Sequence, residues 1–169
     1  YGTMQLPGPH VWGPPRDKEA AIAVLREAVE RGVNHIDTAQ FYGPDVANQL
    51  IREALSPYPD SLTLVTKVGF VRGADASWQI ARRPEELERA VYENLNTLGL
   101  STLDIVNLRL GNANGPQDAP FADSLEALVR LQQRGLIRHI GLSNVTHKQF
   151  TEAKAIADIV CVQNQYNLV

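Results

Sequence analysis

Apolar residues recur along this chain with two alternating spacings: short β-branched runs, then stretches in which apolar positions fall three or four apart. That alternation predicts βαβ units built on a parallel sheet. Thr3 to Leu6 reads as the end of a first strand, after which Pro7, Gly8, Pro9, Gly13, Pro14 and Pro15 force a loop. Asp17 is placed to cap a helix with the face Ile22, Leu25 and Val29, stopped at Gly32. Further strands are predicted at Val33 to Asp37, Leu62 to Lys67, Leu103 to Leu110, Ile137 to Leu142 and Ile159 to Gln163. Helical faces lie between them: Val46, Leu50 and Ala54; Leu87, Val91, Leu95 and Leu98, opened by Pro84; Leu125, Leu128 and Val129; and the span Thr146 to Ala157. The segment between Lys67 and Pro84, rich in Gly, Ala and Ser, reads as a long loop. About six strands and five helices in this order fit either an open doubly wound sheet or part of a (β/α)8 TIM barrel, and periodicity does not choose between them.

Composition narrows the class of molecule. The 169 residues, 44% hydrophobic and 21% charged, bury enough for one α/β domain over residues 1–169. A net charge of -3 with no run of like charges supplies no field for nucleic acid. No stretch approaches the roughly 20 apolar residues that span a bilayer, and the N-terminus lacks a signal-peptide layout, so neither a membrane nor secretion is expected. The single cysteine, Cys161, sits in the apolar run Ile159 to Val162 and reads as a buried inert thiol in a reducing compartment. A cytoplasmic protein is the expectation.

The candidate chemistry gathers at the C-terminal ends of the predicted strands: Asp37, Lys67, Asn107, Arg109, Ser143, Asn144 and Gln163. Both architectures place ligands there, so these groups converge on one pocket. An Asp and a Lys in apolar surroundings must pair, because an unpaired buried charge costs several kcal/mol. Glycine-rich phosphate loops and a Gly-x-Ser-x-Gly elbow are absent, and His10, His35, His139 and His147 lack metal-ligand spacing. His35 shares a strand face with Asp37 and reads as an interior-lining, hydrogen-bonded side chain. Trp12 and Trp78 lie in loops, as substrate walls or as loop packing.

The run Asn34-His35-Ile36-Asp37-Thr38-Ala39-Gln40-Phe41-Tyr42-Gly43 resembles the aldo-keto reductase signature, in which a strand-end Asp precedes a catalytic Tyr by five residues. The agreement continues through Thr66-Lys67, Gly141-Leu142-Ser143-Asn144 and Gln163-Asn164-Gln165-Tyr166-Asn167, and so covers nearly the whole chain. The first loop and Val106-Asn107-Leu108-Arg109 resemble a bacterial branch of that superfamily. The resemblance implies the barrel, and NADPH-dependent reduction of a small-molecule aldehyde or ketone. It implies Tyr42 as proton donor, Lys67 beside it to favour the phenolate, and Asp37 holding Lys67. It further implies Ser143, Asn144 and Gln163 on the nicotinamide carboxamide, with Gly2, Thr3, Met4 and Asp37 lining the cofactor.

Two departures from the family pattern stand out. Where the family carries a histidine five positions after the fourth-strand aspartate, here Asp104, this chain has Arg109. A guanidinium can polarise a carbonyl or hold a carboxylate, which favours anionic substrates; the lesser alternative is a barrel-mouth ion pair with Asp37 or another acid. The residues matching the family also stop after the sixth strand, so the basic grip on the 2′-phosphate and the stacking residue of strands seven and eight have no counterpart among them. A barrel lacking strands seven and eight is expected to bind NADPH weakly and to self-associate through uncovered strand edges. A non-catalytic folding or oligomerisation module is the alternative function, and a cofactor-binding regulatory subunit a third.

Overall fold

In the computed structural model, which describes residues 1–112 and 115–165, five parallel strands alternate with helices. Tyr166 and Asn167, the end of the last quoted motif, lie outside the described residues. The helices are α1 (Lys18–Glu30), α2 (Val46–Leu55), α3 (Pro84–Leu98), α4 (Ala122–Gln133) and α5 (His147–Ala153). The parallel strands are β1 (His35–Asp37), β2 (Thr63–Val68), β5 (Leu103–Arg109), β6 (Ile137–Ser143) and β7 (Ile159–Gln163). Their order in the sheet is β1-β2-β5-β6-β7. Each strand therefore adds on the same side as the one before it. A doubly wound sheet reverses direction at a switch point, whereas a barrel wall does not, so the strand order selects the partial (β/α)8 barrel.

The two faces of the sheet differ in chemistry. Ile36, Leu64, Val106, Leu108, Ile140 and Leu142 point toward the helices and are buried with Leu25, Leu87, Val91, Leu98, Leu125 and Leu128. Each such side chain contributes about 1.5 to 3 kcal/mol by leaving water. Alternation puts the odd-numbered strand residues on the opposite face. Register then stacks them in rows: Asp37 beside Val65, then Lys67-Asn107-Gly141-Cys161, then Arg109-Ser143-Gln163 at the C-terminal ends. The helix-facing residues of β7, Val160 and Val162, remain 44% and 42% exposed.

Local signals mostly act as the residues predict. The Asp17 carboxylate accepts a hydrogen bond from the Ala20 amide at 2.9 Å and starts α1. Gly99 ends α3 with φ 69°, a left-handed conformation that a side chain would resist. Thr146 and Gln149 cap α5 reciprocally, and α5 stops at Ala153, short of the predicted Ala157.

Four expectations need correction. Thr3 to Leu6 is not a strand: the Leu6 amide turns back to the Thr3 carbonyl at 3.0 Å, and only Gly2 bridges to Asp37, so the sheet has five strands rather than six. The predicted long loop contains an antiparallel hairpin, β3 (Phe70–Arg72) and β4 (Trp78–Ile80). Cys161 is only partly buried, and its thiol donates to Asn107 Oδ1 at 3.3 Å. His35 is exposed, and its carbonyl, rather than its ring, takes the hydrogen bond from the Tyr1 ammonium at 2.8 Å.

Candidate active site

Asp37 ends β1 with its backbone pinned on both sides, its amide donating to Tyr1 and its carbonyl accepting from Thr3. The chain then turns: Thr38 donates to the Val65 carbonyl at 2.8 Å and Tyr42 to the Ala39 carbonyl at 3.0 Å. This turn folds Tyr42 back over the strand ends, where it is 3% exposed. A separate small core of Ala39, Phe41, Ala47 and Phe70 holds its ring, with Phe41 edge-on at 5.4 Å. Lys67 projects from β2 into the same space. Its ammonium lies 2.5 Å from Asp37 Oδ1, 3.3 Å from the Thr38 carbonyl and 5.3 Å from the centre of the Tyr42 ring.

The expected pairing of Asp37 with Lys67 is therefore present, with side chains 18% and 3% exposed. Burial lowers the pKa of Lys67, and the charge of Asp37 and its hydrogen bond oppose that shift. Tyr42 departs from expectation. Its pKa lies above the ordinary phenol value, chiefly because burial disfavours the phenolate and secondarily because Asp37 repels it, with Arg109 pulling the other way. The phenol is thus held protonated, the form required of a proton donor.

Arg109 stands one register step beyond the Lys67–Asn107 row and next to Ser143. It is half-buried, its guanidinium 5.5 Å from the centre of the Phe70 ring. Its nitrogens donate to the Gly111 and Asn112 carbonyls, each at 3.3 Å. It makes no ion pair with Asp37.

The residues suggested for a nicotinamide divide into two groups. Ser143 is 2% exposed, and its hydroxyl has no hydrogen-bond partner among the described residues. Asn144 takes φ 53° and donates from its side chain to the Asn112 carbonyl at 2.7 Å, and its amide binds the Gln163 carbonyl at 3.0 Å. Gln163 is exposed beside Ser143. Ser143 and Gln163 are register partners with Asn144 next in the chain, and a hydroxyl with side-chain amides offers the donor and acceptor types that a carboxamide needs. At the other edge, Gly2 bridges to Asp37 and Thr3 is buried with an unpartnered hydroxyl, whereas Met4 is 42% exposed.

Trp12 and Trp78 act as loop packing. Arg72 lies between them, 5.1 Å and 4.3 Å from the ring centres, and ties the first loop to the hairpin through the Val11 carbonyl at 2.9 Å.

Sequence reasoning missed a buried polar network behind the site. The Thr38 hydroxyl donates to Asn48 at 2.9 Å, the Asn48 amide to Asn94 at 3.0 Å, and the Thr66 hydroxyl to Asn94 at 2.6 Å. Thr38 and Thr66 directly follow Asp37 and precede Lys67, so the network anchors both strand ends to α2 and α3. Two asparagines on otherwise apolar helix faces, Asn48 and Asn94, were the available signal. Phe70 was also missed, three residues after Lys67, where it meets Arg109 and Phe41.

The comparisons agree with this geometry. A sequence model described as the Aldo/keto reductase family matches residues 1–169. The chain is 60% identical to pyridoxine 4-dehydrogenase of Escherichia coli K12 over 99% of its length and 59% of the relative's. It is 38% identical to an uncharacterised oxidoreductase of Schizosaccharomyces pombe, over all of this chain and 54% of that one. Among solved structures, the holo form of the aldo-keto reductase AKR11C1 from Bacillus halodurans superposes with a TM-score of 0.81 at 27% identity, covering 98% of this chain and 52% of that one. The chain thus spans between half and three-fifths of the length of these relatives. With the family's match over every residue and a partial barrel that brings Asp37, Tyr42 and Lys67 together, this chain belongs to the aldo/keto reductase family.

Proposed function

We propose that the protein reduces aldehydes to alcohols with NADPH, and that its substrates include pyridoxal-type aldehydes, the oxidised partners of pyridoxine-type alcohols. The observation that carries the reaction class is the Asp37–Lys67 pair beneath a protonated, buried Tyr42. Support for the substrate comes from the 60% identity to a relative named for dehydrogenation of pyridoxine at its 4 position.

Ser143, Asn144 and Gln163 would hold the carboxamide of the cofactor, with Gly2 and Thr3 lining the opposite edge. When bound, NADPH supplies the hydride that adds to the carbonyl carbon. Tyr42 donates its proton to the carbonyl oxygen as that oxygen gains charge, and recovers a proton from solvent afterwards. Lys67 holds a positive charge near the phenol, so the phenolate left by proton transfer is stabilised where burial alone would oppose it. Asp37 keeps Lys67 charged and fixed, and Arg109 faces the developing oxyanion with a permanent cation.

The test is consumption of reduced nicotinamide by the intact protein, with NADPH and NADH in parallel, against pyridoxal and a panel of simple aldehydes. Turnover with NADPH and pyridoxal is the expected result. Binding of NADPH without turnover of any aldehyde would overturn the enzymatic reading in favour of a regulatory role.

A further inference from the structure

Arg109 is a cation without an anion. Arg31, Arg83, Arg130, Arg134 and Arg138 each reach a carboxylate within 4.0 Å, and Arg72 is clamped between two tryptophans. Arg82 is also half-buried without a carboxylate among the described residues, but it does not stand in the strand-end row with Ser143 as Arg109 does. Arg109 reaches no carboxylate among the described residues. Asp37, the obvious candidate, is committed to Lys67. The two bonds Arg109 makes, to the Gly111 and Asn112 carbonyls, are both 3.3 Å long, and they use Nε and Nη2 only. Nη1 donates to no described group. A half-buried guanidinium in this state has lost hydration and feels Asp37 only from beyond ion-pair distance, an arrangement that favours an anionic ligand.

Position narrows the anion. The Arg109 guanidinium lies 5.5 Å from the centre of the Phe70 ring, and Phe70 shares one small core with Tyr42, whose phenol must meet the carbonyl oxygen. An anionic group held by Arg109 therefore lies on the same side of the substrate as that oxygen. On an aromatic aldehyde only a substituent on the adjacent ring carbon meets this condition. An ionised hydroxyl there and the carbonyl oxygen form a pair of acceptors that a guanidinium fork can span. Phe70, 5.5 Å from the guanidinium carbon and 5% exposed, helps to fix the position of Arg109.

Resting on the reductase reading above, we propose that Arg109 selects aromatic aldehydes bearing an ionised hydroxyl ortho to the carbonyl, binding the phenolate and the carbonyl oxygen together. Pyridoxal, whose hydroxyl sits beside its aldehyde, belongs to this class.

The experiment compares kcat/KM of the intact enzyme with NADPH for 2-hydroxybenzaldehyde, 4-hydroxybenzaldehyde and 2-methoxybenzaldehyde, in wild type and in Arg109→Gln. The expected wild-type preference for the 2-hydroxy compound over the 2-methoxy compound is about 10- to 100-fold, the worth of one charge-assisted hydrogen bond. Because Arg109 also faces the carbonyl oxygen, Arg109→Gln should slow all three aldehydes, and the diagnostic result is that it erases the ratio of the 2-hydroxy to the 2-methoxy compound. A preference that survives in Arg109→Gln, or is absent from the wild type, overturns the proposal while leaving the reductase reading intact. Should the variant not turn over, calorimetric titration of the NADP⁺ complex with the 2-hydroxy and 2-methoxy aldehydes decides instead. Tighter binding of the 2-hydroxy compound by about 10-fold in wild type alone supports the assignment, and equal affinities reject it. If the wild type reduces no aldehyde, the reductase reading fails, and the same titration still judges Arg109.

Discussion

Replacing Asn94 by alanine tests whether the buried polar network holds the catalytic strand ends. The Asn94 side chain accepts from the Asn48 amide at 3.0 Å and from the Thr66 hydroxyl at 2.6 Å, and donates to the Ala90 carbonyl at 2.8 Å. Three hydrogen bonds at a net ~1 kcal/mol each amount to about 3 kcal/mol. The partners fare unequally after truncation. The Asn48 amide keeps Thr97 at 2.9 Å, whereas no other acceptor is seen for the Thr66 hydroxyl, which is buried with its residue at 1% exposure. Leaving that hydroxyl unpaired adds about 1 kcal/mol or more, for a total near 4 kcal/mol. Asn96, on the same helix but exposed, serves as the control, because its replacement by alanine removes no buried partner. Urea unfolding of the intact enzyme should lower the stability of Asn94→Ala by about 4 kcal/mol at unchanged m, and leave Asn96→Ala within ~0.5 kcal/mol of wild type. Because Thr66 adjoins Lys67, kcat should fall as well, with KM for the cofactor less affected. An Asn94→Ala loss under ~1 kcal/mol would show that the network is replaceable by water or neighbouring carbonyls, and the anchoring argument would fail.

Tyr42→Phe should lose at least ~10²-fold in kcat with little change in fold, because only the hydroxyl leaves a well-packed ring; activity within threefold of wild type would remove Tyr42 as the donor. Burial and Asp37 hold the Tyr42 phenol above its ordinary value, so the donor form persists as pH rises, and any alkaline loss of reduction between roughly pH 7 and 10 should come from Lys67, whose pKa burial lowers, and be absent from the residual activity of Lys67→Met. A kcat profile that falls with an apparent pKa near ~8 and still falls in Lys67→Met would contradict that direction. Lys67→Met should cost about 3 to 5 kcal/mol by leaving Asp37 without its partner, and Asp37→Asn with Lys67→Met should recover part of this; additive losses in the double mutant would argue against coupling.

Most of the barrel wall is legible in the chain because its helices and strands carry independent local signals. Asp17, Pro84 and Gly99 punctuate helices through capping chemistry that depends on few neighbours. The choice of barrel over open sheet was not legible from periodicity, since both consist of the same units, and it becomes visible only when strand order is known. The hairpin of β3 and β4 escaped notice because three-residue strands leave no periodic trace. Their pairing rests on tertiary contacts, chiefly Arg72 between Trp12 and Trp78, whose rings come from segments far apart in sequence. Thr3 to Leu6 failed for the opposite reason: a β-like composition was overruled by a turn that closes on Thr3 itself.

The site was easier to list than to order. Residue types at strand ends named Asp37, Lys67 and Arg109 together, yet which acid takes which base depends on register. Lys67 shares its row with Asn107, while Arg109 lies one step higher beside Ser143. That single step brings Lys67 to Asp37 and carries Arg109 away, toward Phe70 and the mouth. Had Arg109 been placed on the lower row, it would have competed for the carboxylate, and the lysine would have been the unpaired cation. The register thus divides two positive charges between two tasks. One is buried and ion-paired beneath the Tyr42 ring, and the other stays outside ion-pair distance of Asp37, at the side of Phe70, where its charge still draws down the ionisation of the phenol.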